Sequence, residues 1–173
     1  MTVSPDQRNP QKAYAGVVLL EDLLNTVDVA ARIDALADTA SAAAWLAAQG
    51  RPAEVDAADL ELARGVRAAL RGELGDPPAP MPEIAVQVVL DDDGPRLAGA
   101  GTAMQRVLGE ALAEAVALRA TGEWSRLKTC ALDSCRWVFF DASRNRSGRW
   151  CSMQGCGNKA KTAAYRARHR SDS

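Results

Sequence analysis

In "AGVVLLEDLLNTVDVAARI" the apolar residues Val17, Leu20, Leu23, Leu24, Val27 and Ala31 return at three- and four-residue intervals. That is the period of a helix with one buried face, and it predicts a helix over residues 16–31. "DTASAAAWLAAQG" predicts a shorter second helix, with Asp38 or Thr39 as cap and Gly50 as stop. A third begins near Asp56 and ends at Gly75, with Leu60, Ala63, Val66, Ala69 and Leu70 as its stripe. "DPPAPMP" reads as a stiff, extended linker, because each proline disfavours helix in the residue before it. The period then changes. "EIAVQVVLDDDGPRLAGAGTA" predicts strands at 84–90 and 96–101 joined by an Asp-Gly turn. A fourth helix places Val107, Leu108, Ala111, Leu112, Ala115 and Leu118 on one face, and Gly122 closes it. Residues 12–122 thus read as a helical domain with one β-hairpin.

Composition fits a protein of 173 residues with one ordinary domain and a small appendage. A quarter of the residues are charged and 47% are apolar, with much alanine, so a soluble, helix-rich fold is expected. The apolar runs are far shorter than the ~20 residues that cross a bilayer. "MTVSPDQRNPQKAY" has no basic region followed by an apolar one, so a cytoplasmic location is expected. The net charge of −1 conceals a division: residues 1–125 carry 10 Lys/Arg against 19 Asp/Glu, and residues 126–170 carry 11 against 2. Such asymmetry turns the basic part toward an anionic partner. No Gly-rich phosphate loop is evident, and the single histidine, His169, stands far from any nucleophile in the first domain. Glu21/Asp22 and the acidic run at 91–93 read as solvated helix ends and turns, so no enzymatic activity is expected.

All four cysteines fall between Cys130 and Cys156: C-x4-C, 15 residues, C-x4-C. In a reducing compartment such clustering points to a metal rather than to disulfides. Two close pairs can each span one edge of a tetrahedron around Zn²⁺, making Cys130, Cys135, Cys151 and Cys156 the ligands of one structural zinc. An iron–sulfur cluster, or His169 in place of one cysteine, remain alternatives. The insert predicts a hairpin, with "RWVFFDAS" as one strand, "RNRSG" as the turn and "RWCS" as the return. Cys156 then opens a helix. A knuckle, a hairpin and a helix that supplies ligands make a treble-clef-like zinc finger. Trp137 and Phe139 alternate with Val138 and Phe140, so most of these aromatics are expected to be core. Arg144, Arg146 and Arg149 crowd the turn and return. On the final helix Lys159, Arg166 and Arg170 share one ridge, with Lys161 and Arg168 nearly opposite. Ala160, Ala164 and Ala167 form a narrow stripe between them that could pack on the zinc knuckle. Cationic ridges of this kind suit phosphates.

"CALDSCRWVFFDASRNRSGRWCSMQGCGNKAKTAAYRARHR" resembles the CGNR zinc finger, and "LLEDLLNTVD", "AAAWLAAQG" and "ARGVRAAL" resemble the ABATE domain usually joined to it in bacterial stress-induced transcription regulators. The resemblance implies zinc on the four cysteines and DNA binding through the basic residues, with Asn158 of the naming motif at 156–159 as a further, neutral nucleic-acid contact. Lys159 stands where the family name has Arg, and Gly148 where a further Arg is expected. The fold expected is therefore α+β, mainly α: a helical N-terminal domain at 12–122 with a hairpin, then a finger at 123–170. The expected role is regulation through double-stranded DNA, with a small-molecule ligand or homodimerisation assigned to the N-terminal domain. RNA binding, or docking of the basic module on an acidic protein surface, are the alternatives.

Overall fold

The computed structural model describes residues 17–92 and 94–170, with the side chains of residues 91 and 168–170 excepted. Residues 12–16, which open the predicted first domain, lie outside this range.

The first helix is shorter than its apolar period predicts. α1 spans Val18–Leu24, with Leu20, Leu23 and Leu24 fully buried. The chain then forms a minimal ladder, β1 (Val27–Asp28) against β2 (Ile33–Asp34), where 16–31 was expected to be one helix. The cause is polar side chains that satisfy backbone groups outside a helix. Thr26 Oγ1 donates to the carbonyl of Leu23 at 2.7 Å. Asp28 accepts from the Ala31 amide at 2.9 Å, and Asp34 from the Leu36 amide at 2.8 Å.

The next two helices start at local caps. Asp38 accepts from the Ser41 amide at 2.7 Å at the start of α2 (Thr39–Ala48). Asp56 accepts from the Asp59 amide at 2.8 Å at the start of α3 (Ala57–Glu73). After the proline-rich linker come β3 (Val86–Asp91) and β4 (Gly94–Gly99), antiparallel, with Val88 opposite Leu97 and Leu90 opposite Pro95. The ladder runs to the Asp91/Gly94 pair, so Gly94 belongs to β4 rather than to an Asp-Gly turn. Gly94 has φ +105°, a conformation that favours glycine. A full capping box, Thr102 with Gln105, opens α4 (Ala103–Ala120). Gly99 of β4 lies so close to α4 that a Cβ on Gly109 would come within 2.3 Å of its Cα.

Leucines of α1, α2 and α3 meet Met104, Val107, Leu108 and Ala111 of α4 in one core. That core does not end at residue 122. Leu127 on β5 (Leu127–Thr129), with Val138 and Phe140 on β6 (Val138–Phe140), belongs to the same cluster. Among the described residues no helix is long and apolar enough to cross a membrane.

Candidate metal centre and basic surface

The finger's hairpin is built from different partners than the sequence predicts. β6 pairs antiparallel with β5, upstream of the first cysteine, and not with the return segment at 149–152. The Cys130 amide donates to the carbonyl of Trp137 at 2.8 Å and so continues the β5–β6 ladder into the knuckle that carries Cys130 and Cys135. The return segment meets the knuckle instead, through the Ala131 amide and the Arg149 carbonyl, at 2.8 Å. Asp141 folds the loop that makes this possible. Its carboxylate accepts from Lys128 Nζ at 2.7 Å, the Gly148 amide at 2.7 Å and the Ser143 amide at 3.1 Å. Burial alone would raise its pKa, but Lys128 and these hydrogen bonds outweigh it and hold the carboxyl down at about 2. Gly148 has a reason here: a Cβ at that position would lie 2.8 Å from Asp141 Cγ, inside van der Waals contact.

The four thiols converge. All four Sγ atoms lie within 4.8 Å of one another, with Cys135–Cys151 and Cys151–Cys156 at 3.7 Å. A tetrahedral ZnS₄ centre with Zn–S near ~2.3 Å has sulfur–sulfur edges of about 3.8 Å, so the donors stand at the spacing the ion needs. All four cysteines are buried, and Phe139, Leu132, Trp137 and Trp150 surround them. Hydrogen bonds from Cys135 and then Cys151 push the Cys130 thiol down, helped by the backbone amides of Cys151 and Leu132. The neighbouring thiols, Cys130 foremost, push Cys151 up, and burial raises Cys156 to about 12. One thiolate is welcome in this pocket and four are not, unless a cation joins them. The soft, closed S₄ set suits Zn²⁺, and the four cysteines form a single zinc site with no open ligand position. Cys156 lies in a wide helical turn, Met153–Gly157, capped by Ser152 and leading into α5 (Asn158–Arg170).

A second group of residues, unforeseen from the sequence, fastens the finger to α1. Asn25 accepts from the Val138 amide and donates to the Val138 carbonyl, both at 2.8 Å. Glu21, one helical turn earlier and buried, accepts from the Phe140 amide. Two side chains at i and i+4 thus imitate a neighbouring strand along the edge of β6. The signal was Glu21 and Asn25 on the buried side of a leucine helix, where a polar residue needs a partner. Glu114 of α4 steadies the start of α1 by accepting from the Leu20 amide at 2.9 Å. Burial raises its pKa to about 7, with Glu110, Asp22 and Glu21 adding to the effect against the pull of that amide. Nearby, Arg71, 5% exposed, bonds the carbonyls of Leu24 and Arg136 and the carboxylate of Asp76, while Arg136 pairs with Asp76 from the finger side.

The cations divide into two sets. Arg126 and Arg136 are held in the body of the protein, paired with Glu123 and Asp76. Arg146, among the predicted nucleic-acid contacts, also pairs with Glu123, at 2.7 Å. Arg149 is exposed beside the Trp150 ring, 5.2 Å from its centroid. Arg144, Asn158, Lys159, Lys161 and Arg166 are exposed, and among the described residues these four cations have no ion pair. The side chains of Arg168, His169 and Arg170 lie outside the described residues. The alanine stripe does not pack on the knuckle as expected: Ala160 is half-buried, but Ala164 and Ala167 are exposed, like every residue from 161 to 167. Trp137, Trp150, Leu132 and Phe139 already cover the thiols, so α5 leaves the finger after its first turn.

Residues 126–169 match the CGNR zinc finger family. No curated protein matches the chain. The C-terminal region is therefore a CGNR zinc finger with one four-cysteine zinc site, carried on a mainly helical N-terminal part.

Proposed function

We propose that the protein is a regulator that binds double-stranded DNA through the finger's exposed helix. One observation supports this above the others. α5 offers Asn158 and the cations Lys159, Lys161 and Arg166 to solvent, these cations without an acidic partner among the described residues, and Arg144 and Arg149 are exposed as well, on a base that zinc makes rigid. Such cations are the electrostatic footprint of phosphate binding. Base stacking on the finger's aromatics, which would favour single-stranded RNA, is less suited to it: Phe139 and Phe140 are buried, and Trp137 and Trp150 cover the thiols. Docking of the basic module on the acidic N-terminal part describes Arg136, which pairs with Asp76, but not α5, and Arg126 and Arg146 pair with Glu123 within the finger itself. The N-terminal part, with its ABATE-like residues, would report a ligand or a partner to the finger through the α1–β6 contact.

Duplex binding measured against salt tests the reading. Affinity should fall linearly on a log–log scale, and Lys161→Ala with Arg166→Ala should reduce the slope by about 2. Arg146→Ala should change it less, since Glu123 already holds that side chain. Salt-independent binding, or a double variant that binds like the parent, would defeat the proposal.

A further inference from the structure

A groove of about 460 Å³ lies on the seam between the helical part and the finger, a volume in the range of small-molecule sites. Glu73 and Leu74, at the end of α3, line it from the helical part. Gly148 and Arg149 of the return segment line it from the finger, together with Trp124 and β5. What it takes follows from which of its polar groups are already spent. Glu73 is paired with Arg119. Lys128 gives its three donors to Asp141 and to the carbonyls of Arg146 and Gly148. Thr129 Oγ1 donates to the Leu74 carbonyl at 3.1 Å.

The groups left over are donors. Arg149 is exposed beside Trp150 and has no carboxylate partner among the described residues. The Thr129 amide points away from β6. The Asp141 amide bonds the Arg126 carbonyl and the Cys130 amide the Trp137 carbonyl, so alternation leaves Thr129 and Val138 as a pair without ladder bonds. Val138 turns its amide outward to Asn25, and Thr129 turns its own to the opposite edge, where the Ala131 amide meets Arg149. The Ser125 hydroxyl is a third, on an exposed residue. Unspent donors with no unspent carboxylate among them select an anion. One free cation matches one negative charge, and Glu73 across the groove disfavours a second. The remaining lining is apolar: Leu74, Leu127, Ala131 and the Trp124 ring. Arg119 stacks on that ring at 4.3 Å but does not line the groove, so the ring turns another side to it.

We infer that this groove binds a small aromatic carboxylate, its ring against Trp124 and Leu74 and its carboxylate on Arg149 and the Thr129 amide. Such a ligand bridges the helical part and the finger. The inference does not rest on DNA binding.

Amide NMR on the full chain with its zinc tests it, with 2-naphthoate as the probe. The Thr129 amide and the Trp124 indole N–H should shift saturably, and Val88, exposed and apolar on β3, should not. 2-Naphthamide, the same ring without the charge, should bind at least about tenfold more weakly. Arg149→Met should weaken 2-naphthoate by a similar factor at unchanged zinc content. If that variant loses zinc, the comparison of acid and amide on the parent decides. No saturable binding, equal affinity for acid and amide, or shifts centred on β3–β4 or α5 would overturn the proposal. A zinc-loaded Arg149→Met that binds 2-naphthoate like the parent would overturn it too.

Discussion

The molecule contains two apolar β-hairpins with opposite fates. β5–β6 has "VFF" in its second strand, and all three residues are buried. β3–β4 has "VQVVL" in its first, and Val86, Val88 and Leu90 stand in solvent. Propensity does not separate them, since both are rich in β-branched or aromatic residues. What separates them is what lies on each side. In β6, Val138 and Phe140 face the helical core, while Phe139 joins the thiols. Its edge is taken by Glu21 and Asn25. Among the described residues β3 has α4 under its base and no third strand beside it. A short hairpin is marginal alone, and here one is secured by a metal and a helix while the other keeps an open face and edge.

Removing the metal is the strongest way to break that contrast. Zinc binding by finger-sized units is worth on the order of 10 kcal/mol, and the finger's own apolar cluster is small. Chelation, or Cys151→Ser, should therefore take zinc below one per chain and unfold β5–β6. Because Leu127, Val138 and Phe140 belong to the main core, the loss should spread, lowering the melting temperature of α1–α4 as well. Circular dichroism with metal analysis reads both. If the helices melt at the same temperature with and without zinc, the two parts are energetically independent despite their shared core.

Next in size is the edge of β6. Asn25→Ala leaves the amide and carbonyl of Val138 without their partner in a part-buried contact. Two lost bonds and the desolvated groups left behind should cost about 2–4 kcal/mol in denaturant unfolding. A loss below about 0.5 kcal/mol would mean that water replaces Asn25 freely, and that β6 is held by its faces alone.

These contacts explain why some parts of the fold were readable in the sequence and others were not. Helix stripes and caps are local: Asp38, Asp56 and Thr102 act on residues three positions away, and the pattern showed where α2, α3 and α4 lie. Cysteine spacing is nearly as local, so the zinc ligands were evident too. The partner of β6 was not. "LKT" is a three-residue strand with no alternation to announce it, defined by a ladder that continues into Cys130. Asn25 reaches Val138 across 113 positions, and no periodicity encodes that distance. The alanine stripe of α5 misled because small apolar spacing shows what could be buried, whereas the thiols it might have covered already had Trp137 and Trp150.

The smallest effect concerns the residue that steadies α1. Glu114 has its folded pKa raised to about 7 from an ordinary value near 4.5, burial being the first cause and the charges of Glu110, Asp22 and Glu21 adding to it. A raised carboxyl pKa means that the folded state holds the proton more tightly than the unfolded chain. Its contribution is complete below about 4.5 and is lost as pH rises through 7. Above that, an ionised Glu114 stands near the same acidic helix end that clamps β6. Glu114→Gln keeps an oxygen for the Leu20 amide and removes the titration. At pH 5 it should match the parent, and at pH 8 it should be more stable by about 1–2 kcal/mol, less than the full shift would give because the group is only partly buried. Amide exchange sharpens the reading. At pH 8 the variant should protect Val138 and Phe140 better than the parent and leave β3 unchanged, since only one of the two hairpins is held through α1. Equal stability at pH 8, or slowing at both hairpins alike, would remove Glu114 from that chain of contacts.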